Sequence, residues 1–236
     1  MVFQKEALGE LFRVFLTDTL ISISGEAGTG KTTLAQYLVG NLLADKLPFF
    51  GSCIWVQASE KFPHKRLTQI FYNFPERLEY LKQHIYLTPQ SSYINSYKDF
   101  LDTLHHLSEK DSILPPDLRY IVVDNISHHL RYEISRIRDI KQIINLQDSF
   151  YENLLLPLIM FCQKNSTHLI LLHENTFVPQ LNASKPFFYK LYDRISHVHI
   201  ILTRRYKSSV HNLTIHNENS MQAYKYIIQG NGFVLL

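Results

Sequence analysis

Two cysteines in 236 residues, Cys53 and Cys162, are too few for a disulfide framework. Both sit in apolar runs and read as buried thiols of a reducing compartment. No Cys/His cluster has the spacing of zinc ligands. No apolar run approaches the ~20 residues of a membrane span. The N-terminus lacks the basic start, apolar middle and small-residue cleavage site of a signal peptide. These absences lead us to expect a soluble intracellular protein of cytoplasm or nucleus, with no membrane partner. There is no internal repeat, no low-complexity tract and no Pro/Gly/Ser linker, so residues 1–236 read as one domain. Strong charge is lacking too: the formal net charge is +3, with a pI near 8.7. That mild balance does not by itself point to nucleic acid. Histidine is plentiful at twelve, but pairs such as His105-His106 and His128-His129 read as solvated side chains, not ligands.

Glycine is scarce, and its distribution is uneven. Three of eight glycines, Gly25, Gly28 and Gly30, fall within six residues of "ISISGEAGTGKTTLAQYL" (Ile21 to Leu38). Glycine opens backbone conformations closed to other residues, so successive N–H groups can curl toward one point. Such a concave set of amides binds oxyanions, and a following helix adds its N-terminal amides and dipole. The spacing is the full G-x-x-x-x-G-K-[ST] phosphate-loop signature. Gly25, Glu26, Ala27, Gly28, Thr29, Gly30, Lys31, Thr32 and Thr33 are therefore the candidate ATP-binding residues. Lys31 reaches the outer phosphates and the Thr32 hydroxyl holds Mg2+. The context agrees: Leu20 to Ser24 reads as a strand. Thr33 to Ala44 carries Leu34, Leu38, Leu42 and Leu43 at helical spacing. The bland alternative is a glycine-rich turn that binds nothing.

The rest of the chain alternates helix and strand. Phe3 to Leu16 reads as a leading helix. Strands are expected at Cys53–Gln57, His84–Thr88, Arg119–Asp124 and Thr167–His173. Helices are expected over 64–74 and 96–109. A long helical region over 140–165 should kink or restart at Pro157. A short helix over 187–196 precedes "HVHIILTRR", "HNLTIHN" and "AYKYIIQGNGFVLL", which read as an antiparallel ending on a parallel sheet. The fold class is α/β: a phosphate-loop core, a mainly parallel twisted sheet flanked by helices, with an antiparallel C-terminal extension.

Two acids complete the candidate site. "YIVVD" ends a strand in Asp124, suited to hold magnesium near Thr32. Glu60, in "WVQASEKF" just past the second strand, is the candidate general base, with Lys31 as its catalytic partner. The alternatives are a capping aspartate and a surface acid.

These residues resemble the RecA/RadA recombinase superfamily, especially its archaeal RadA and RadB members and the eukaryotic recombinase paralogs. "SEKFPHKRL" is similar to the family's TEGTFRPERL segment, one residue shorter, with Glu60 in the catalytic position. "YIVVDNI" resembles the magnesium-binding strand, "LILLHEN" the strand ending in TNQ, and "AYKYIIQGNGF" the terminal strand and turn. The resemblance implies that Arg66 packs on adenine and that Asn175 stands in for the family's γ-phosphate-sensing glutamine. It implies RecA-fold recombinase or paralog subunits as partners. It extends to single-stranded DNA through Arg131, Arg136 and Arg138 and through Arg204 and Arg205, with Lys207 beside them. The LDxLLGGG lead-in, the helix-hairpin-helix domain, the Phe-x-x-Ala polymerisation segment and a glycine-rich second DNA loop are absent from the sequence. The expected function is that of an ATP-binding, slowly hydrolysing recombinase paralog in recombination or repair. A scaffold subunit gated by ATP, with little turnover and no DNA role, is the competing reading. A small-molecule phosphotransferase is a third, disfavoured by the antiparallel ending and by Glu60.

Overall fold

The apolar runs seen in the sequence become the centre of one sheet. A computed structural model describes residues 2–109, 111–178, 180, 183–192, 194–205, 207–217, 220–230 and 232–236. Helix α1 (Val2–Thr17) leads into β1 (Leu20–Gly25), the cradle loop and α2 (Lys31–Leu43). Then come β2 (Ser52–Gln57), α3 (His64–Ile70), α4 (Pro75–His84), β3 (Ile85–Thr88), α5 (Tyr97–Ser108), β4 (Leu118–Asp124) and α6 (His128–Ser135). α7 (Ile140–Phe150) passes through a π-helical turn, Tyr151–Leu155, into α8 (Leu156–Lys164). The chain closes with β5 (His168–Val178), β6 (Ala183–Pro186), α9 (Tyr189–Tyr192), β7 (Val198–Thr203), β8 (His211–Asn217), β9 (Ser220–Gln229) and β10 (Gly232–Leu235).

The sheet order is β10-β9-β8-β7-β1-β5-β4-β2-β3, with β6 paired to β5. β7, β1, β5, β4, β2 and β3 are mutually parallel, and β8, β9 and β10 continue antiparallel. β1 and β2 are buried along their full lengths, as parallel strands covered on both faces must be. Side chains alternate across the sheet. Ile21 and Ile23 face a core shared with Leu11, Phe15, Leu34, Leu38 and Tyr226. Leu20, Leu169 and Leu171 face a second core with Phe100, Leu130, Phe150 and Leu158.

The structure corrects several expectations. "HVHIILT" is not part of the antiparallel ending; β7 pairs parallel with β1. The helix expected over 64–74 stops at Ile70, and α4 follows it, starting on Pro75 with Glu76 in its first turn and Lys82 and His84 in its last. Proline at a helix start and charges matching the dipole were the readable signals. Pro157 sits in the first turn of α8, directly after the π turn, so it restarts the helix there. The short helix spans only Tyr189–Tyr192, and Asp193 of its expected range lies outside the described residues. His129 is not solvated: it is buried, and its Nε2 lies 2.6 Å from the Ala58 carbonyl. α6 turns that face onto the loop after β2. Cys53 and Cys162 are free and buried, and burial pushes the Cys162 thiol up to about 12. Among the described residues no helix is long and apolar enough to cross a membrane.

Candidate nucleotide site

The cradle is built at the carboxyl ends of β1, β2, β4 and β5. Gly30 has φ +90, and a Cβ there would collide with the Ile228 side chain. Gly25 is pressed from two sides: a Cβ would come within 2.6 Å of both the Leu202 carbonyl and the Thr29 hydroxyl. The loop is tied internally, with Thr29 Oγ1 donating to the Glu26 carbonyl at 2.8 Å. It is also tied to the C-terminal strands, where the Tyr226 hydroxyl donates to the Thr29 carbonyl at 2.7 Å. The antiparallel extension therefore buttresses the phosphate loop.

Lys31 Nζ donates to the Gly25 and Glu26 carbonyls at 2.9 and 3.0 Å. Burial lowers its pKa, opposed by the nearby carboxylates of Glu174, Asp124, Glu60 and Glu26. Thr32 Oγ1 donates to Asp124 Oδ2 at 2.9 Å, joining the two ends of the expected metal site across 92 residues of sequence. Burial pushes the Asp124 carboxyl up to about 6, against the Thr32 bond and the Lys31 charge, which favour its ionised form. The Ala58 and Ser59 amides donate to the Asp124 carbonyl at 2.8 and 3.2 Å. That pairing brings the exposed Glu60 to the mouth of the cradle.

These groups enclose a cavity of about 230 Å³, lined by Gly28, Lys31, Thr32, Glu60, Asp124 and Glu174, among others. Ala27, Gly30 and Thr33 also line it, as do Ser59 and Asn125, which sequence reasoning did not single out. Gly25 and Thr29 are buried beneath the loop, and Glu26 is exposed at its turn. A concave backbone, a lysine and a hydroxyl-carboxylate pair fit a phosphate chain with a divalent cation on Thr32 and Asp124.

Some expected residues stand elsewhere. Asn175 is not at the cradle; Glu174 is. Strand period decides this: Glu174 shares a face with Leu172 and Ile170, and Asn175 points to the opposite face. There its buried Oδ1 has no partner among the described residues. Arg66 does not line the cavity. Its guanidinium donates to the Gly230 and Gly232 carbonyls at 3.3 and 3.5 Å, beside the β9–β10 turn. Arg131 Nη1 pairs with Glu174 Oε2 at 2.9 Å and lies over the Phe187 ring. Arg136 and Arg138 are exposed after α6, and Arg205 is exposed after β7. Arg204 comes close to the phosphate loop instead: its Nη1 is 3.8 Å from where a Gly28 Cβ would stand. Only the adjacency of β7 and β1 could reveal that neighbour.

Fold and site together define a phosphate-loop nucleotide-binding core. The family model described as AAA domain matches residues 16–170, and the chain belongs to that family. In three dimensions it is similar to a crystal structure of the RadB recombinase. The TM-score is 0.65 and the identity 20%, covering 91% of this chain and 89% of that one. The protein thus has a RadB-like, RecA-type fold. No curated protein matches the sequence.

Proposed function

We propose that the protein binds Mg-ATP, hydrolyses it slowly, and acts as a recombinase paralog assisting DNA recombination or repair. The observation that carries the reading is the Thr32–Asp124 bond at the foot of the glycine cradle. A hydroxyl and a carboxylate from distant segments converge where the metal of a phosphate-loop ATPase belongs. Lys31 binds the outer phosphates in place of its present carbonyl partners. Thr32 and Asp124 would hold Mg2+, which would supply positive charge against the phosphates. Glu60, exposed at the mouth of the cradle, orients a water molecule and accepts its proton. Arg204 is placed to add a second positive charge at the loop. Arg66 remains the candidate for the adenine side, where it borders the β9–β10 turn.

One observation favours the scaffold reading. Arg131, a candidate DNA contact, is engaged by Glu174, so the nucleotide site and α6 share an ion pair. Nucleotide could then reorder an α6 surface that meets another RecA-fold subunit. ATP turnover measured with and without single-stranded DNA tests both. Stimulation by DNA supports the paralog reading. Turnover that ignores DNA while nucleotide alters subunit association supports the scaffold. No nucleotide binding at all overturns both.

A further inference from the structure

The sheet face opposite α2 carries a second cavity, of about 630 Å³, walled by β1, β6, β7, β8 and the α9 region. It is separate from the cradle, and its walls are unusual for a sheet face. Ser22, Tyr192, His197, His199 and His216 line it, with Lys185 and Arg194. Among the described residues no carboxylate does. Arg194 is partly occupied by Asp148, 3.4 Å away, but Lys185 lies close enough to disfavour charge on both His199 and His216.

Buried polar groups are ordinarily hydrogen-bonded. Here several are not. Among the described residues, Ser22 Oγ and the Tyr192 hydroxyl are buried with no partner, and so are both ring nitrogens of His173. The His173 ring meets Tyr192 edge-on, with centroids 4.5 Å apart. His199 is held by Ser24 Oγ at 2.8 Å and is flanked by His197 and His216. Hydroxyls and imidazoles able to donate, a lysine and, among the described residues, no facing acid make a site that lacks negative charge.

We propose that this cavity binds a small molecule bearing an oxyanion, a phosphate or carboxylate group. The group would accept bonds from Lys185, from the histidine rings and from the Ser22 and Tyr192 hydroxyls. The volume suits a metabolite-sized ligand. The site does not depend on the cradle's function, because the two cavities share no lining residue.

Crystals soaked in sodium tungstate test the proposal directly, since anomalous scattering locates each bound oxyanion separately. A peak within bonding distance of Lys185 and His216, beside any peak in the cradle, supports it. Peaks in the cradle alone, or no peak, overturn it. In solution, inorganic phosphate is titrated into a Lys31→Ala background, which weakens the competing cradle site. Lys185→Met with His216→Leu should lower the remaining affinity by at least about tenfold. Affinity unchanged by that pair of substitutions also overturns the proposal.

Discussion

The two faces of β1 teach different lessons. At its carboxyl end the strand delivers a loop in which the side chains of Thr29, Lys31 and Thr32 have partners. Lys31 meets two carbonyls, Thr32 meets Asp124, and Thr29 meets Glu26 and Tyr226. On the face away from α2, polar atoms of Ser22, His173 and Tyr192 are buried with no partner among the described residues. Side chains held by such bonds are preorganised for a ligand that meets the loop's backbone amides. An unbonded one carries the desolvation cost of each polar atom until something supplies the missing bonds. The first arrangement suits the nucleotide site proposed above, and the second suits the proposed oxyanion site.

The largest effect that would break this contrast is at Glu60. Glu60→Gln keeps the shape and removes the base, so turnover should fall by ~10²–10⁴ while ATP binding persists. Steady-state phosphate release and equilibrium nucleotide titration read the two quantities apart. Normal turnover would make Glu60 a surface acid.

Next is Lys31→Ala, expected to weaken ATP by about a hundredfold or more through the loss of charge-assisted bonds. The fold should survive, because the lysine's burial already disfavours its charge. Calorimetric titration beside a thermal melt checks this. Unchanged nucleotide affinity would sink the assignment of the cradle.

Asp124→Asn should separate stability from function. The Asp124 carboxyl is raised in the folded protein to about 6, above its unfolded value. A raised group contributes stability that is fully present below the unfolded pKa, near pH 4. That contribution is lost as pH rises through about 6. The variant, which never ionises, should therefore be more stable than the wild type at pH 8 by about 1–3 kcal/mol. The gap should close below pH 4, and magnesium should no longer aid nucleotide binding. Urea unfolding at pH 4 and pH 8 decides it; equal stabilities at pH 8 would mean the charge is well solvated.

The arginines after β4 give a smaller effect. Each phosphate contact on single-stranded DNA contributes about 0.7 to the salt slope. Removing Arg131, Arg136 and Arg138 should flatten the slope by up to ~2, or less if Arg131 stays with Glu174. Anisotropy at two salt concentrations reads it. No binding at low salt, with and without ATP, removes the direct DNA role.

The smallest effect sharpens the far face. Ser24→Ala deletes the partner of His199 and should cost about 1 kcal/mol. Ser22→Ala deletes a hydroxyl with no partner among the described residues and should be neutral or slightly stabilising. Equal losses in denaturant melts would mean that Ser22 is bonded after all.

Local pattern made the cradle legible. Glycine spacing, the strand before it and the leucines after it are all contained in about twenty-five residues of the chain. β1, β2, β4 and β5 were readable because parallel strands buried on both faces leave uninterrupted apolar runs. Asn175 was misplaced by matching a motif where counting alternation from Ile170 and Leu172 points to Glu174. His129 was misread because the pair His128-His129 looks the same whether one ring or neither is buried. α4 was missed because its sequence, "PERLEYLKQH", has only Leu81 buried.

By itself the sequence determined the phosphate-loop signature, the strand that ends in Asp124 and most of the parallel core, since each is written in residues close together or in apolar runs. The tertiary structure alone decided what meets the loop from afar. It put Tyr226 and Ile228 against it from β9, Arg204 beside Gly28 from the end of β7, and Arg131 on Glu174. It also gathered Ser22, Tyr192, His199 and His216 from β1, α9, β7 and β8 into one cavity wall, with His173 of β5 packed against Tyr192. Strand order sets such encounters, and strand order depends on how the whole sheet closes its two cores. No short stretch of the chain carries that information.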